Sequence, residues 1–330
     1  MALTGHRFLL ILFAMSFFCS SRLAYTVALA FHSRTKNTGA VTHRCMSNQV
    51  IQSTKSATVK NIQALLKKRK TRQEQGVTVV EGPRMIVDLL ENERTKNLVQ
   101  QVLVSSDKKE WIQQLEQNHP SLWIQEGTPE VLRACSDTVT PQGMVAIVSI
   151  PEFELKRPPF PLYLILDGVS DPGNMGTLLR SSVAVGAAGV VLLPQCCDSW
   201  NPKAIRSAMG CTFQIPIISV DSFQEAQTIL GVEAVYAATM DKSGQTSIPH
   251  YDVDWTATPS ALVIGNEGNG LSDAVRKAVA DGKIRATHVP MEAGIESLNA
   301  AVCGSVIMFE FLRQCRTKYI SYSISSSDSH

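Results

Sequence analysis

Three short segments in the C-terminal half carry the residue types that chemistry on a bound ligand needs. The first, Asp167-Gly168-Val169-Ser170-Asp171-Pro172-Gly173-Asn174-Met175-Gly176, joins an apolar run to a helical pattern carrying Arg180. Pro, Gly and Asn shape tight strand-to-helix turns, and a helix N-terminus offers free amides to a phosphate. The second, Gly265-Asn266-Glu267-Gly268-Asn269-Gly270, follows Ala261–Ile264 directly. Its glycines let a backbone approach a ligand closely, and Glu267 needs a partner there, either Arg180 or a ligand hydroxyl. The third runs from Val289-Pro290-Met291 to Ser297-Leu298-Asn299 and opens the last helix. Ser297 reads as the N-cap, with Asn299 in the first turn, where its amide can bind ligand groups or the preceding loop. Taken singly, each segment also fits a polar turn or a cap. None is a G-x-G-x-x-G fingerprint, which argues against a nicotinamide cofactor.

The elements behind these loops set where they meet. Apolar strands are expected at Leu162–Leu166, Gly189–Leu193, Gln214–Val220, Ala234–Thr239 and Ala261–Gly265, with a short extended piece at Ala286–Pro290. Helices are expected at Thr177–Val185, Pro202–Met209, Phe223–Leu230, Asp273–Asp281 and Ser297–Gln314. Strands that are apolar throughout, separated by helices, imply a parallel sheet covered on both faces, with ligands at the strands' carboxyl ends. The N-terminal half alternates likewise: a basic helix over Val59–Gln73, strands near Val77–Val80, Gln101–Ser105 and Leu122–Gln125, and a closing strand from Met144. Prolines at 151, 158, 159 and 161 forbid a helix between the halves. The reading is α/β throughout: a leader over 1–50, a smaller α/β domain over 55–150, a linker over 151–161, a larger domain over 162–315 and a Ser-rich tail over 316–330.

Bulk charge hides an asymmetry. The formal net charge is +2, yet residues 1–73 hold 12 Lys and Arg and no acidic residue. The remainder carries 19 basic against 29 acidic residues, so nucleic-acid contact must come from local patches. Phe8–Phe18 is an apolar run of 11 behind Arg7, too short for a comfortable membrane span and suited to a signal peptide. The following Ser/Thr-rich, basic, acid-free stretch suits an organellar transit peptide. Together they fit a bipartite plastid leader; a mitochondrial presequence or a plain secretory signal is the alternative. None of the eight cysteines forms a C-x-x-C pair, so buried free thiols in a reducing compartment are expected, without a metal site.

In order and spacing the three loops resemble the SpoU, or TrmH, family of RNA 2′-O-methyltransferases within the knotted SPOUT superfamily. The family's N-x-G-x-x-x-R is matched by Asn174, Gly176 and Arg180, and its G-x-E-x-x-G-L by Gly265, Glu267, Gly270 and Leu271. Its third motif is matched by Val289, Pro290, Met291, Gly294, Ser297, Leu298 and Asn299. The N-terminal half resembles the family's substrate-binding domain through Glu81-Gly82-Pro83 and Ser136-Asp137-Thr138-Val139-Thr140-Pro141-Gln142-Gly143.

That resemblance implies a C-terminal trefoil knot, a homodimer with its active site near the subunit interface, and S-adenosylmethionine as methyl donor. It implies cofactor contacts from Ile264, Gly265, Gly268, Val289, Pro290, Met291 and Leu298, and a catalytic set of Arg180, Asn174, Glu267, Ser297 and Asn299. RNA is expected to touch Arg180, Lys203 and Arg206. The expected reaction is methylation of a ribose 2′-hydroxyl in organellar rRNA. A tRNA substrate, or a non-catalytic assembly factor on the same fold, is the alternative.

Overall fold

The computed structural model describes residues 49–155, 157–158, 161–239, 247–293 and 297–327. The leader reading, residue Gly294 and the segment 294–296 therefore fall outside the described residues, apart from residues 49 and 50.

The N-terminal half comprises α1 (Ala57–Lys67), α2 (Arg69–Gln75), β1 (Val77–Glu81), α3 (Pro83–Glu91), β2 (Val99–Ser105), α4 (Lys109–Asn118), β3 (Trp123–Gly127), α5 (Pro129–Ala134) and β4 (Met144–Ser149). Its four strands lie in the order β1-β4-β2-β3, with only β2 and β3 parallel. One face packs on α3 and α4 through Val80, Ile86, Leu89 and Val102, and the other on α1 and α5 through Val59, Ile62, Val79 and Val131. The expected single basic helix is two helices, because the backbone turns extended at Lys68 (φ −117°, ψ 112°).

The C-terminal half continues with β5 (Leu162–Asp167), α6 (Pro172–Ala184), β6 (Gly189–Leu192), α7 (Pro202–Ser207), β7 (Ile217–Ser219), α8 (Phe223–Leu230), β8 (Ala234–Ala238), β9 (Ile248–Pro249), β10 (Ser260–Gly265), α9 (Asp273–Ala280), β11 (Arg285–His288) and α10 (Ala300–Ser327). These strands form one seven-stranded sheet in the order β7-β6-β5-β10-β8-β11-β9, and every pairing is parallel. Successive side chains alternate between its faces. Leu162, Leu164 and Leu166 join Leu178 of α6 and Met308 of α10, while Tyr163 and Ile165 join Phe223 of α8 and Val275 of α9. Both faces being covered explains why the strands read as unbroken apolar runs.

The strand expected at Gln214–Val220 is shorter, Ile217–Ser219, and two helix boundaries that bear on the loops also differ from expectation. Helix α6 begins five residues early, because Asp171 caps it by accepting the Asn174 amide and Pro172 occupies its first turn. Glycine is obligatory close behind that cap: a Cβ on Gly176 would lie 2.4 Å from the Ala204 carbonyl oxygen and 2.5 Å from the Ser207 Cβ of α7. The last helix begins later than expected and runs on to Ser327.

The halves also share a core and two ion pairs. Ile205 and Phe213 of the C-terminal half pack into the cluster around Met85 and Leu89. Arg72 binds Asp198, and Arg206 binds Asp137.

Candidate functional site

Register places the first two loops side by side. In the β5–β10 ladder Gly265 lies opposite Asp167, so both loops leave the sheet at one level. The chain proceeds from β5 to β6 on one side while β10 flanks the other, which makes this edge a point where strand order reverses. Asn266 ties the loops together, its Nδ2 donating to the Gly168 carbonyl (2.8 Å) and the Ser170 hydroxyl (3.2 Å). Its Oδ1 accepts the Gly268 and Asn269 amides (2.9 Å each), and paired Asn266–Gly270 backbone bonds close the loop. The buried Asp167 carboxylate accepts the Ser272 amide at the start of α9 (2.7 Å).

The third loop joins through side chains. Asn299 Nδ2 donates to Asn174 Oδ1 (3.0 Å), and Asn174 Nδ2 donates to the Glu267 carboxylate. A continuous chain thus links one residue from each loop: Glu267, Asn174, Asn299. Asn299, not Ser297, caps α10, because its Oδ1 accepts the Ala301 and Val302 amides (2.9 and 3.2 Å). One amide side chain therefore both starts the last helix and clasps the first loop. Replacing Asn299 by alanine is expected to cost about 1 kcal/mol through loss of the cap. Asn299→Asp keeps an acceptor for the cap but lacks the donor toward Asn174. Its melting temperature is expected to stay near wild type while activity falls; equal activity would discount the clasp.

Beside this chain lies a cleft of about 250 Å³ lined by Ile264, Gly265, Leu271, Val289, Met291 and Leu298, with Glu267 and Ser297 at its polar side. Its volume is near the lower end for small-molecule sites, and apolar walls with a few polar groups suit an amphipathic nucleoside. Gly268 and Pro290, expected at the cofactor, are not among its walls. Ala238, Thr239, His288 and Cys303 do line it and were not expected. The first three sit at the carboxyl ends of β8 and β11, so the strand-end rule could have found them. His288 Nδ1 is paired with the Ser247 hydroxyl at 2.9 Å. A second cleft, about 260 Å³ between α3 and α4, contains Arg84, Trp111 and His119 and none of the three loops.

The expected cations make no hydrogen bond to the Glu267–Asn174–Asn299 chain among the described residues. Arg180 is exposed and makes no hydrogen bond or ion pair among the described residues; its charge is felt by Cys211. The early start of α6 puts it more than two turns inside the helix, and six residues at roughly 100° each turn it away from Asn174. Glu267 accordingly holds Asn174 rather than Arg180. Arg206 is paired within the chain, both its terminal nitrogens binding the Asp137 carboxylate (2.5 and 3.3 Å). Lys203 stays largely exposed, 4.0 Å from Asp171. Asp137 belongs to a loop fastened at its base by Glu81, whose Oε1 accepts the Ser136 and Thr138 hydroxyls at 2.6 Å each. The two N-terminal sequence motifs are thus one structural unit.

Burial pushes the thiols of Cys196 and Cys197 up to about 11 and about 12, and raises that of Cys303 in the cleft. All stay protonated near neutral pH and offer no nucleophilic thiolate.

This fold matches solved SpoU methyltransferases. The S-adenosylmethionine complex of AviRb from Streptomyces viridochromogenes matches at a TM-score of 0.66 and 26% identity, covering 78% of this chain and 98% of that one. An S-adenosylmethionine-bound rRNA methyltransferase from Sinorhizobium meliloti matches at 0.64 and 25%, covering 80% and 97%. Residues 161–309 match the SpoU rRNA Methylase family, and residues 56–146 the MRM3-like substrate binding domain. Mitochondrial rRNA methyltransferase 3 of Mus musculus is 30% identical over 78% of this chain and 72% of its own length. The 23S rRNA (guanosine(2553)-2′-O)-methyltransferase RlmP of Bacillus subtilis is 30% identical over 78% and 97%.

The chain belongs to the SpoU rRNA methylase family. It is a methyltransferase whose methyl donor is S-adenosylmethionine.

Proposed function

We propose that this chain methylates a ribose 2′-hydroxyl of organellar rRNA. The observation that carries this reading is the Glu267–Asn174–Asn299 chain, which fixes three loops around the cleft. When bound, S-adenosylmethionine supplies a methyl group activated by its sulfonium charge. The chain's own residues then have two tasks, to hold the hydroxyl in line and to ease its proton away. Ile264, Gly265, Val289, Met291 and Leu298 would hold the donor, and Ser297 with the two asparagines would orient the ribose.

Arg180 suits electrostatic work better than proton abstraction, since a guanidinium keeps its proton. In this reading it binds an RNA phosphate and polarises the hydroxyl. Its position away from the clasp, with no salt-bridge partner among the described residues, supports a homodimer in which a second copy brings Arg180 to the site. So does the exposed stripe of Val302, Val306 and Phe309 on α10, spaced over about two turns and 49%, 38% and 49% exposed. The C-terminal knot of the superfamily completes the reading. Arg180→Ala is expected to slow methyl transfer into an rRNA transcript by about 10²–10³-fold, as for other transition-state donors, with S-adenosylmethionine affinity unchanged. A normal rate would remove Arg180 from the reaction.

The rRNA preference draws on relatives named for rRNA, and on the separate N-terminal domain. The organelle is a plastid if residues 1–50 act as the bipartite leader they resemble. A mitochondrial address is the second reading, favoured by the relative from mouse. A fluorescent fusion of residues 1–50 separates the two. Among the described residues no helix is long and apolar enough to cross a membrane.

A further inference from the structure

The most basic stretch of the described chain is not part of the site. Lys67, Lys68, Arg69 and Lys70 occupy the break between α1 and α2, and all four are exposed. Lys60 is exposed two turns earlier on α1. Among the described residues the run meets one acidic partner, Glu74, 3.7 Å from Lys70, and both of those side chains are open to solvent. Such a pair is worth little, so the run keeps most of its charge.

Buried polar bonds hold the break in place. Arg72, almost fully buried, donates from Nη1 to the Leu65 carbonyl (2.5 Å) and the Leu66 carbonyl (3.4 Å), satisfying the last turn of α1. Its Nε and Nη2 bind Asp198 Oδ2 (3.0 and 2.5 Å). Asp198 lies in the loop after β6, and the residue before it, Cys197, donates its amide to the Val169 carbonyl of the first catalytic loop (2.9 Å). Consecutive residues therefore tie the basic break and the methyl-transfer loop to one another.

We propose that Lys67, Lys68, Arg69 and Lys70 grip RNA backbone phosphates away from the ribose being methylated, with Arg72 and Asp198 fixing that grip in register with the site. The identity of the strand rests on the function proposed above. An acidic bilayer would also attract the charge, but a fixed register with a catalytic loop serves a substrate that reaches both places. The apolar side of α1, Val59, Ile62, Leu65 and Leu66, is buried in the core and offers a bilayer nothing to take up.

The test uses the full chain and its K67Q/K68Q/R69Q/K70Q variant against a fluorescent RNA hairpin across a salt series. The slope of log affinity against log salt is expected to flatten by about 3, from roughly 0.7–0.9 for each phosphate that is no longer neutralised. S-adenosylmethionine affinity and melting temperature are expected to be unchanged, and K67R/K68R/R69K/K70R should keep the wild-type slope. An unchanged slope in the glutamine variant overturns the grip. So does binding to phosphatidylglycerol vesicles as tight as to RNA and abolished in the same variant. If the wild-type chain transfers no methyl to rRNA while the slope difference persists, the proposed reaction fails and the grip stands.

Discussion

Arg72→Leu is expected to lower the free energy of unfolding by about 3–5 kcal/mol, the cost of breaking a buried ion pair from one side. The substitution strands the Asp198 carboxylate, whose side chain is only 12% exposed, and unbinds the carbonyls of Leu65 and Leu66. Desolvation sets the magnitude: a charge left behind without its partner costs more than the pair contributes. Adding Asp198→Asn should recover part of the loss, since no unpaired charge then remains and the oxygen that accepts the Trp200 amide is kept. Urea unfolding of wild type, single and double variants measures this. A single-variant loss under about 0.5 kcal/mol, the range of ordinary surface changes, would mean that the pair is not structural.

Gly265→Ala is expected to weaken S-adenosylmethionine binding by about 10- to 100-fold. A Cβ there would stand 2.7 Å from the Gly270 carbonyl carbon and oxygen and 2.9 Å from the Leu271 amide nitrogen. These are backbone atoms, so no flexible side chain can yield. Relief requires the loop to open at the paired Asn266–Gly270 bonds, deforming one wall of the cleft. Overpacking of this kind costs about 1–3 kcal/mol, and each 1.4 kcal/mol is tenfold in affinity. Calorimetric titration checks it. A dissociation constant equal to wild type would show that the loop's closed form is not the binding form.

What could be read from the chain was what local chemistry encodes. The strands β5, β6, β8 and β10 announce themselves as short apolar runs, and the three loops as clusters of Gly, Asn and Pro behind them. The start of α6 was also encoded, as Asp171 before Pro172, but the same residues read equally as a turn. Other features depend on partners far along the sequence. Nothing near Lys68 marks a helix break, because Asp198, 126 residues from Arg72, helps to hold it. Arg206 looks like a free cation until Asp137, 69 residues away, is brought against it. Ser297 and Asn299 are both good caps by type. Only the fold shows that Asn299 takes that place, with its amide turned to Asn174.

Asn299's double duty makes the geometry of the candidate site depend on the soundness of a normally weak place. Helix ends are the first segments to open on heating, well below the temperature at which a core gives way. If the first turn of α10 frays, Asn299 loses its two amide donors and its hold on Asn174 together. Catalysis is then thermally softer than the protein that houses it. Activity should decline several degrees before the global unfolding transition, while the seven-stranded sheet is still intact.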